Sequence, residues 1–366
     1  MLELKARDGR ARAGVLRTPH GEVETPGFMP VGTCGSVKGV TPDELRACGA
    51  RIVLANTYHL LLRPGHELIR DLGGLHRFMS WSGPILTDSG GYQIFSLAEH
   101  ARIDDEGVTF RSHLDGSRRR LTAETAMEVQ AALGSDIPML LDECAALPAS
   151  REMVAAAVER TTRWARRGVE RYAGPGRPFG IVQGGTFPEL RERSARELVA
   201  LDLAGYAIGG VHVGEGARLA AETVSHTAEL LPPERPRYLM GVGRPEDLVQ
   251  AVGAGVDLFD CVLPTRNARN GQLFTSQGTI NIKRSEYRRD ERALDPDCGC
   301  PTCRGYSRAY LRHLFVAREL LSSRLLTLHN LTYYLALMDS MRRAILAGRF
   351  EAWRREAAPG RVAAGD

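Results

Sequence analysis

No apolar run in this 366-residue chain approaches the roughly 18 residues that a membrane-spanning helix needs. The longest, at 52–55 and 137–141, are a few residues each, and the opening stretch MLELKARDGR has no apolar signal core. A soluble, cytoplasmic protein without a membrane partner is expected. There is no tandem repeat or low-complexity tract, which excludes fibrous and disordered architectures. Neither sign of charge dominates: 48 basic against 44 acidic residues leave +4, too little by itself to indicate a nucleic-acid partner. Cysteines are few and odd in number, seven in all, so an ordinary disulfide framework is excluded. Three of them crowd into Cys298-Gly299-Cys300-Pro301-Thr302-Cys303, a spacing that suits a metal.

What the chain does have is the composition of a large core, 43% hydrophobic and 25% charged. Short apolar runs stand at 28–31, 52–55, 84–87, 137–141, 179–182, 206–208, 238–240 and 256–259. Helical spacing fills many of the gaps, at 122–133, 151–172, 188–201, 217–230 and 245–252. Thr41-Pro42-Asp43-Glu44 reads as a capping box with proline at the first helical position. The gap from 56 to 83 has no clear period. This alternation predicts an α/β fold, a TIM (β/α)8 barrel. No Gly-x-Gly-x-x-Gly follows the first run, which weighs against a dinucleotide-binding sheet.

In such a barrel the active site gathers where strands end. Reading past the runs gives Asn56, Asp88, Asp142-Glu143-Cys144, Gln183-Gly184-Gly185, Gly209-Gly210, Gly241 and Asp260. Carboxylates on facing parts of one rim suit glycosyl chemistry: one attacks an anomeric carbon, another handles the proton of the leaving or entering group. Asp260, set in Leu258-Phe259-Asp260-Cys261, is the candidate nucleophile. From Arg266 to Arg292 seven basic residues oppose three acidic ones, a local excess of +4 on which a polyanion could dock.

The strings Thr87-Asp88-Ser89-Gly90-Gly91-Tyr92-Gln93 and Asp257 through Gly271 carry a closer likeness. Over residues 9–329 the chain resembles the tRNA-guanine transglycosylases of bacterial type. The resemblance implies exchange of guanine at the anticodon wobble position of tRNA for 7-aminomethyl-7-deazaguanine, a queuosine precursor. It makes Asp260 the nucleophile at the ribose C1′ and Asp88 the general acid and base. It assigns base recognition to Asp142, Gln183 and the backbone N–H of Gly210, with Tyr92 and Met240 sandwiching the base. Structural Zn²⁺, one per chain, would be held by Cys298, Cys300, Cys303 and His329; spacing alone leaves His313 open as the fourth ligand. Arg266 and Arg269, close behind Asp260, are expected to contact the anticodon loop. Tyr306, Tyr310, His313 and Glu319, with Lys38 as a partner for Glu319, resemble the family's contacts in a homodimer. The organisation expected is a catalytic barrel over 1–295, a zinc-binding subdomain over 296–335 and a C-terminal helix over 336–366.

One stretch departs from the family. Where bacterial members usually read Gly-Gly-Leu-Ala-Val-Gly-Glu, this chain has Gly209-Gly210-Val211-His212-Val213-Gly214-Glu215. Val213 and Cys144 keep the bacterial character and favour the aminomethyl base over queuine, provided the His212 imidazole points outward. Two other classes remain: a TIM-barrel glycoside hydrolase, and a non-catalytic RNA-binding subunit. Aromatics at 6%, with no Trp cluster beside Asp88 or Asp260, weigh against the first. The presence of both Asp88 and Asp260 weighs against the second.

Overall fold

The computed structural model describes residues 2–97 and 101–356. The expected C-terminal helix over 336–366 therefore falls partly outside the described residues, from 357 onward. Eight parallel strands form a barrel: β1 (Gly27–Gly32), β2 (Val53–Ala55), β3 (Ile85–Thr87), β4 (Ile137–Pro138), β5 (Phe179–Val182), β6 (Gly205–Ile208), β7 (Arg237–Leu239) and β8 (Leu258–Cys261). Hydrogen bonding runs in the order β4-β3-β2-β1-β8-β7-β6-β5, and a parallel bridge from Met139 to Phe179 closes the ring. The TIM-barrel expectation holds. Each expected strand lies within three residues of its run, and the largest shortfall is β4. There Gln130 Oε1 and the Thr87 carbonyl both accept from the Met139 N–H, and the Gln130 amide donates to the Met139 carbonyl, ending the ladder early.

Strand periodicity sorts the side chains into two layers. Met29, Val31, Leu54, Leu86, Ile137, Ile181, Ala207, Tyr238 and Leu258 fill the barrel interior. Phe28, Val182, Ile208, Leu239 and Phe259 face outward against helices, among them Pro188–Val199, Ala217–Glu229 and Pro245–Gly253. A three-stranded antiparallel sheet over residues 2–25, invisible to the alternation argument, plugs the N-terminal end of the barrel with Leu2, Leu16 and Val23. Buried Arg12 locks it there through two 2.8 Å contacts to Asp257, just ahead of β8. The opposite rim is left open for chemistry.

Below β3 and β4, His20 Nδ1 and His76 Nε2 each approach a different oxygen of buried Asp136, at 2.9 and 3.0 Å. Their rings stack at 3.6 Å, 18° from parallel. Planes so disposed cannot both contain one metal ion, so this trio is a hydrogen-bonded clasp between the plug and the barrel. The unclear gap after β2 resolves into three short helices, Thr57–Leu62, His66–Asp71 and Gly74–Met79. Glycines at the junctions, Gly65 and Gly73, take positive φ that β-carbons disfavour, which breaks the helical period into pieces too short to read.

Between β8 and the helix that packs back on the barrel lies an insertion: a helix Leu263–Arg269, a hairpin Gln272–Thr275/Gly278–Asn281, and the cysteine cluster. It has an apolar centre of its own, formed by Leu273, Ile282, Leu294, Leu311 and Leu326. The returning helix, Leu320–Leu346, runs unbroken through residue 335 and presses Tyr334, Met338 and Met341 onto the barrel. Among the described residues no helix is long and apolar enough to cross a membrane.

Candidate active site

Three carboxylates meet on the open rim, each leaving a different strand, with Asp88 and Asp142 buried and Asp260 half-buried. Asp88 follows β3, and its carboxylate accepts from the Thr57 N–H at 2.8 Å and from the Asn56 side-chain amide. The Thr57 hydroxyl donates to the Asp88 carbonyl at 2.5 Å. Burial pushes the Asp88 carboxyl up to about 7 against these bonds, and the charges of Asp260 and Asp142 push the same way. The turn directly after β2 thus holds Asp88 in place.

Asp260 is the third residue of β8. Its Oδ1 accepts from the Tyr238 hydroxyl at 2.6 Å and from the Gly241 N–H at 2.8 Å. Burial raises its pKa, and these two donors act in the opposite direction. Both donors converge on Oδ1, which leaves Oδ2 as the oxygen unengaged by them. Tyr238 is itself fully buried on β7, its hydroxyl held protonated by burial and by the Asp260 charge.

Asp142, beyond β4, accepts from Ser89 Oγ at 2.9 Å and Gln183 Nε2 at 2.8 Å. Gln183, just past β5, lies against the chain leaving β6. A β-carbon on Gly209 would come within 2.7 Å of Gln183 Nε2, and one on Gly210 within 2.5 Å of Gln183 Oε1. Gly210 also has φ +62°. Only glycine at both positions lets the backbone approach this amide.

The same backbone is tied from behind by Arg191, which is buried. Its guanidinium donates to the carbonyls of Gly185 (2.9 Å), Val182 (3.0 Å), Gly209 (2.7 Å) and Gly210 (3.0 Å). Burial lowers it to about 10, so it stays cationic at neutral pH. Sequence reasoning missed Arg191, Tyr238 and Ser89 as parts of the site. One signal was available for Arg191: it stands on the apolar stripe of Pro188–Val199, beside Leu190, Ser194 and Leu198.

Of the expected base-sandwiching pair, Met240 is half-buried against the barrel interior, whereas Tyr92 is 51% exposed on the helix Gly91–Leu97. Arg266 and Arg269 sit in the last turn of the helix that follows Asp260. Arg269 has a buried Nη1 with no partner, and burial, with repulsion from Arg266, lowers its pKa.

Cys298, Cys300 and Cys303 of the insertion and His329 of the returning helix bring their ligand atoms within 4.8 Å of one another. His329 Nδ1 lies 3.3 Å from Cys303 Sγ and 3.8 Å from Cys300 Sγ. Its Nε2 is spent on the Phe274 carbonyl at 2.8 Å, which leaves the Nδ1 lone pair facing the thiols. That donor set and closure fit a tetrahedral metal. His313, the other candidate, lies in Arg308–Val316 and is not part of the cluster.

A family model described as queuine tRNA-ribosyltransferase matches residues 8–362. The queuine tRNA-ribosyltransferase of Desulforapulum autotrophicum is 58% identical over 352 residues, 95% of either chain. That of Pelotomaculum thermopropionicum is 60% identical over 340 residues, 93% of this chain and 92% of its own. The enzyme of the same name from Cereibacter sphaeroides is 55% identical, covering 95% and 93%. The chain belongs to the queuine tRNA-ribosyltransferase family. It is thereby a transferase, and the hydrolase and non-catalytic readings fall away.

Within this family fold, the unusual His212 has a left-handed backbone, φ +58°. Its N–H donates to Glu215 Oε1 at 2.5 Å, and Val213 N–H to Glu215 Oε2 at 2.9 Å. The imidazole points to Asp247 at 3.8 Å and lines a cavity of about 190 Å³ with Ala217, Val242 and Ala251. That cavity shares no lining residue with the carboxylate cluster, so the ring is turned away from that cluster. Cys144, beside Asp142, is pushed up to about 12 by burial and stays a thiol.

Proposed function

We propose that the chain exchanges guanine at the wobble position of tRNA for 7-aminomethyl-7-deazaguanine in the making of queuosine, through a covalent bond between Asp260 and the ribose. The observation that carries this reading is the unequal pair of carboxylates, half-buried Asp260 with a free oxygen and buried Asp88 with a proton near neutrality. Asp260 Oδ2 attacks C1′, and the bond from C1′ to the base breaks with its electron pair on the base nitrogen. Asp88, protonated, gives that nitrogen its proton, and guanine leaves. The incoming base then loses its ring proton to the Asp88 carboxylate and attacks C1′, which releases Asp260. Each acid step is matched by a base step, which is why a pKa near the working pH suits Asp88.

Asp142, with lone pairs beyond those taken by Ser89 and Gln183, suits the ring N–H and exocyclic amine of a guanine-like base. Gln183 and the backbone of Gly210, pinned by Arg191, suit its carbonyl edge. Tyr92 and Met240 remain the proposed faces of the sandwich. The unpartnered N–H of Arg269, with Arg266 beside it in the same last turn, suits an anionic anticodon loop. The metal of the Cys3His cluster is taken as structural Zn²⁺, with residues 296–335 as the unit it organises. A homodimer joined through Tyr306, Tyr310, His313, Glu319 and the partner's Lys38 draws support from the exposure of Tyr310, Val316, Leu320 and Leu321. A tRNA substrate places the enzyme in the cytoplasm.

Two measurements test this. Labelled guanine supplied with tRNA is incorporated without ATP, and a subsequent equal mixture of the aminomethyl base and queuine displaces the label mainly in favour of the aminomethyl base. Failure to incorporate guanine removes the reaction; preferential uptake of queuine removes only the pocket argument from Val213. The second is the pH profile. Asp88 must be protonated for guanine to leave, so kcat/KM for tRNA falls above pH about 7. Asp88→Asn loses roughly 10²–10⁴-fold in rate. Because folding raises this carboxyl above its ordinary value, the native state loses stability as pH rises from about 4 to 7. Asn removes that loss, so the variant's gain in Tm over wild type is larger at pH 8 than at pH 5. A gain that does not grow with pH counts against the buried, proton-holding Asp88.

A further inference from the structure

The loop after β3 carries a small antiparallel sheet, Arg102–Asp104, Gly107–Arg111 and Arg118–Thr122, on the same rim as Asp88. Its inner face is apolar: Val108, Phe110 and Leu121 are buried with Tyr58, Ile94 and Trp164. Two-residue alternation therefore turns Arg102, Thr109, Arg111, Arg118 and Arg120 to the other face. The register sets Arg111 directly opposite Arg118, with Arg102, Thr109 and Arg120 in the adjoining row. Like charges directly opposed across strands destabilise a sheet.

Nearby, several arginines do have carboxylate partners. On the neighbouring helix Arg151–Arg171, Arg160 pairs with Glu143, Arg163 with Asp105, Arg167 with Glu124 and Arg171 with Glu128. On the sheet, among the described residues, only Arg120 is paired with a carboxylate, that of Asp104 at 2.8 Å. Arg111 reaches only the Gly116 carbonyl, at 3.5 Å, and among the described residues neither Arg111 nor Arg118 has a carboxylate within 4 Å. The sheet is also held in fixed relation to the site: His113 Nδ1 meets the Tyr58 hydroxyl at 2.7 Å, and Tyr58 directly follows the two residues that hold Asp88.

We propose that this arginine face docks the phosphate backbone of the tRNA outside the anticodon loop, orienting the substrate over Asp88 and Asp260. It rests on the reading of tRNA as substrate. Its opposed arginines are stabilised by phosphates that lie between them, and the contact reads no base sequence. The Arg111–Arg118 pair is a positioning device and touches no reacting atom.

The test uses the full-length protein, with direct tRNA binding measured alongside guanine incorporation. In Arg111→Ala/Arg118→Ala, Kd and KM for tRNA rise roughly tenfold, kcat and KM for guanine stay unchanged, and the salt dependence of binding loses a slope of about 1.5. Arg118→Glu separates docking from folding: opposite charges now face each other, so Tm rises above wild type while tRNA binding weakens at least as much. Arg163→Ala, which removes a paired surface arginine, leaves tRNA binding unchanged. Unaltered Kd and salt slope in the double variant overturn the proposal, as does equal weakening by Arg163→Ala, which marks a non-specific charge effect. If the wild type binds tRNA but incorporates no guanine, the function reading fails, and the binding measurements still decide this one.

Discussion

Asp260→Asn loses guanine exchange by roughly 10⁴-fold or more, with tRNA binding within about twofold of wild type. The amide is nearly isosteric, and its oxygen can keep both the Tyr238 hydroxyl and the Gly241 N–H that now converge on Oδ1. The nitrogen that replaces Oδ2 has no lone pair to give to an anomeric carbon, so the covalent step has no nucleophile. The wild type, trapped with an anticodon stem-loop, runs on a denaturing gel as a protein–RNA adduct, and the variant shows none. Loss of the Asp260 charge also removes one of the influences that raise Asp88, so the Asp88 ionisation moves down in the variant. Substantial exchange by a homogeneous Asp260→Asn preparation would falsify the assignment of the nucleophile.

The second large effect is expected at the cysteine cluster. Freshly purified protein contains about one zinc per chain, and His329→Ala lowers that content sharply and abolishes cooperative folding of the insertion. Binding energies for structural zinc sites are on the order of 10 kcal/mol, comparable to the stability of a whole domain. The consequence reaches the active site through the next residue. Asn330 accepts from the Phe274 N–H at 3.1 Å and donates to the carbonyls of Pro264 at 2.9 Å and Gln272 at 3.1 Å. It thereby ties the long helix to the segment that bears Arg266 and Arg269. Hydrogen exchange should accelerate across 298–330, and KM for tRNA should rise more than KM for guanine. Zinc-free protein with full protection in this region would show that the metal plays no structural part.

Several elements were legible because their causes are local. The capping box at Thr41 forms as read: Glu44 N–H donates to Thr41 Oγ1 at 3.3 Å, and the Glu44 carboxylate accepts from Thr41 N–H at 2.9 Å. The helices Ala123–Leu133 and Arg151–Arg171 begin within a residue of their expected starts, capped by Thr122 and Ser150. The inserted sheet at 102–122 and the plug at 2–25 escaped notice. Strands of three to five residues carry too little periodicity to read, and the plug contributes no β/α alternation.

The sequence by itself determined the alternation that makes a barrel, the strand-end positions of Asp88, Asp142 and Asp260, and a thiol spacing suited to metal. Those depend on residue type and short spacing alone. Only the tertiary structure decided how the carboxylates differ: Asp88 meets its donors 31 and 32 residues away, Asp142 meets Gln183 at 41, and Asp260 meets Tyr238 at 22. Barrel closure also chose His329 over His313 and brought Arg191 beneath the glycine backbone of the base pocket. Burial and the approach of distant charges set a pKa, and neither exists until the eight strands have closed into one ring.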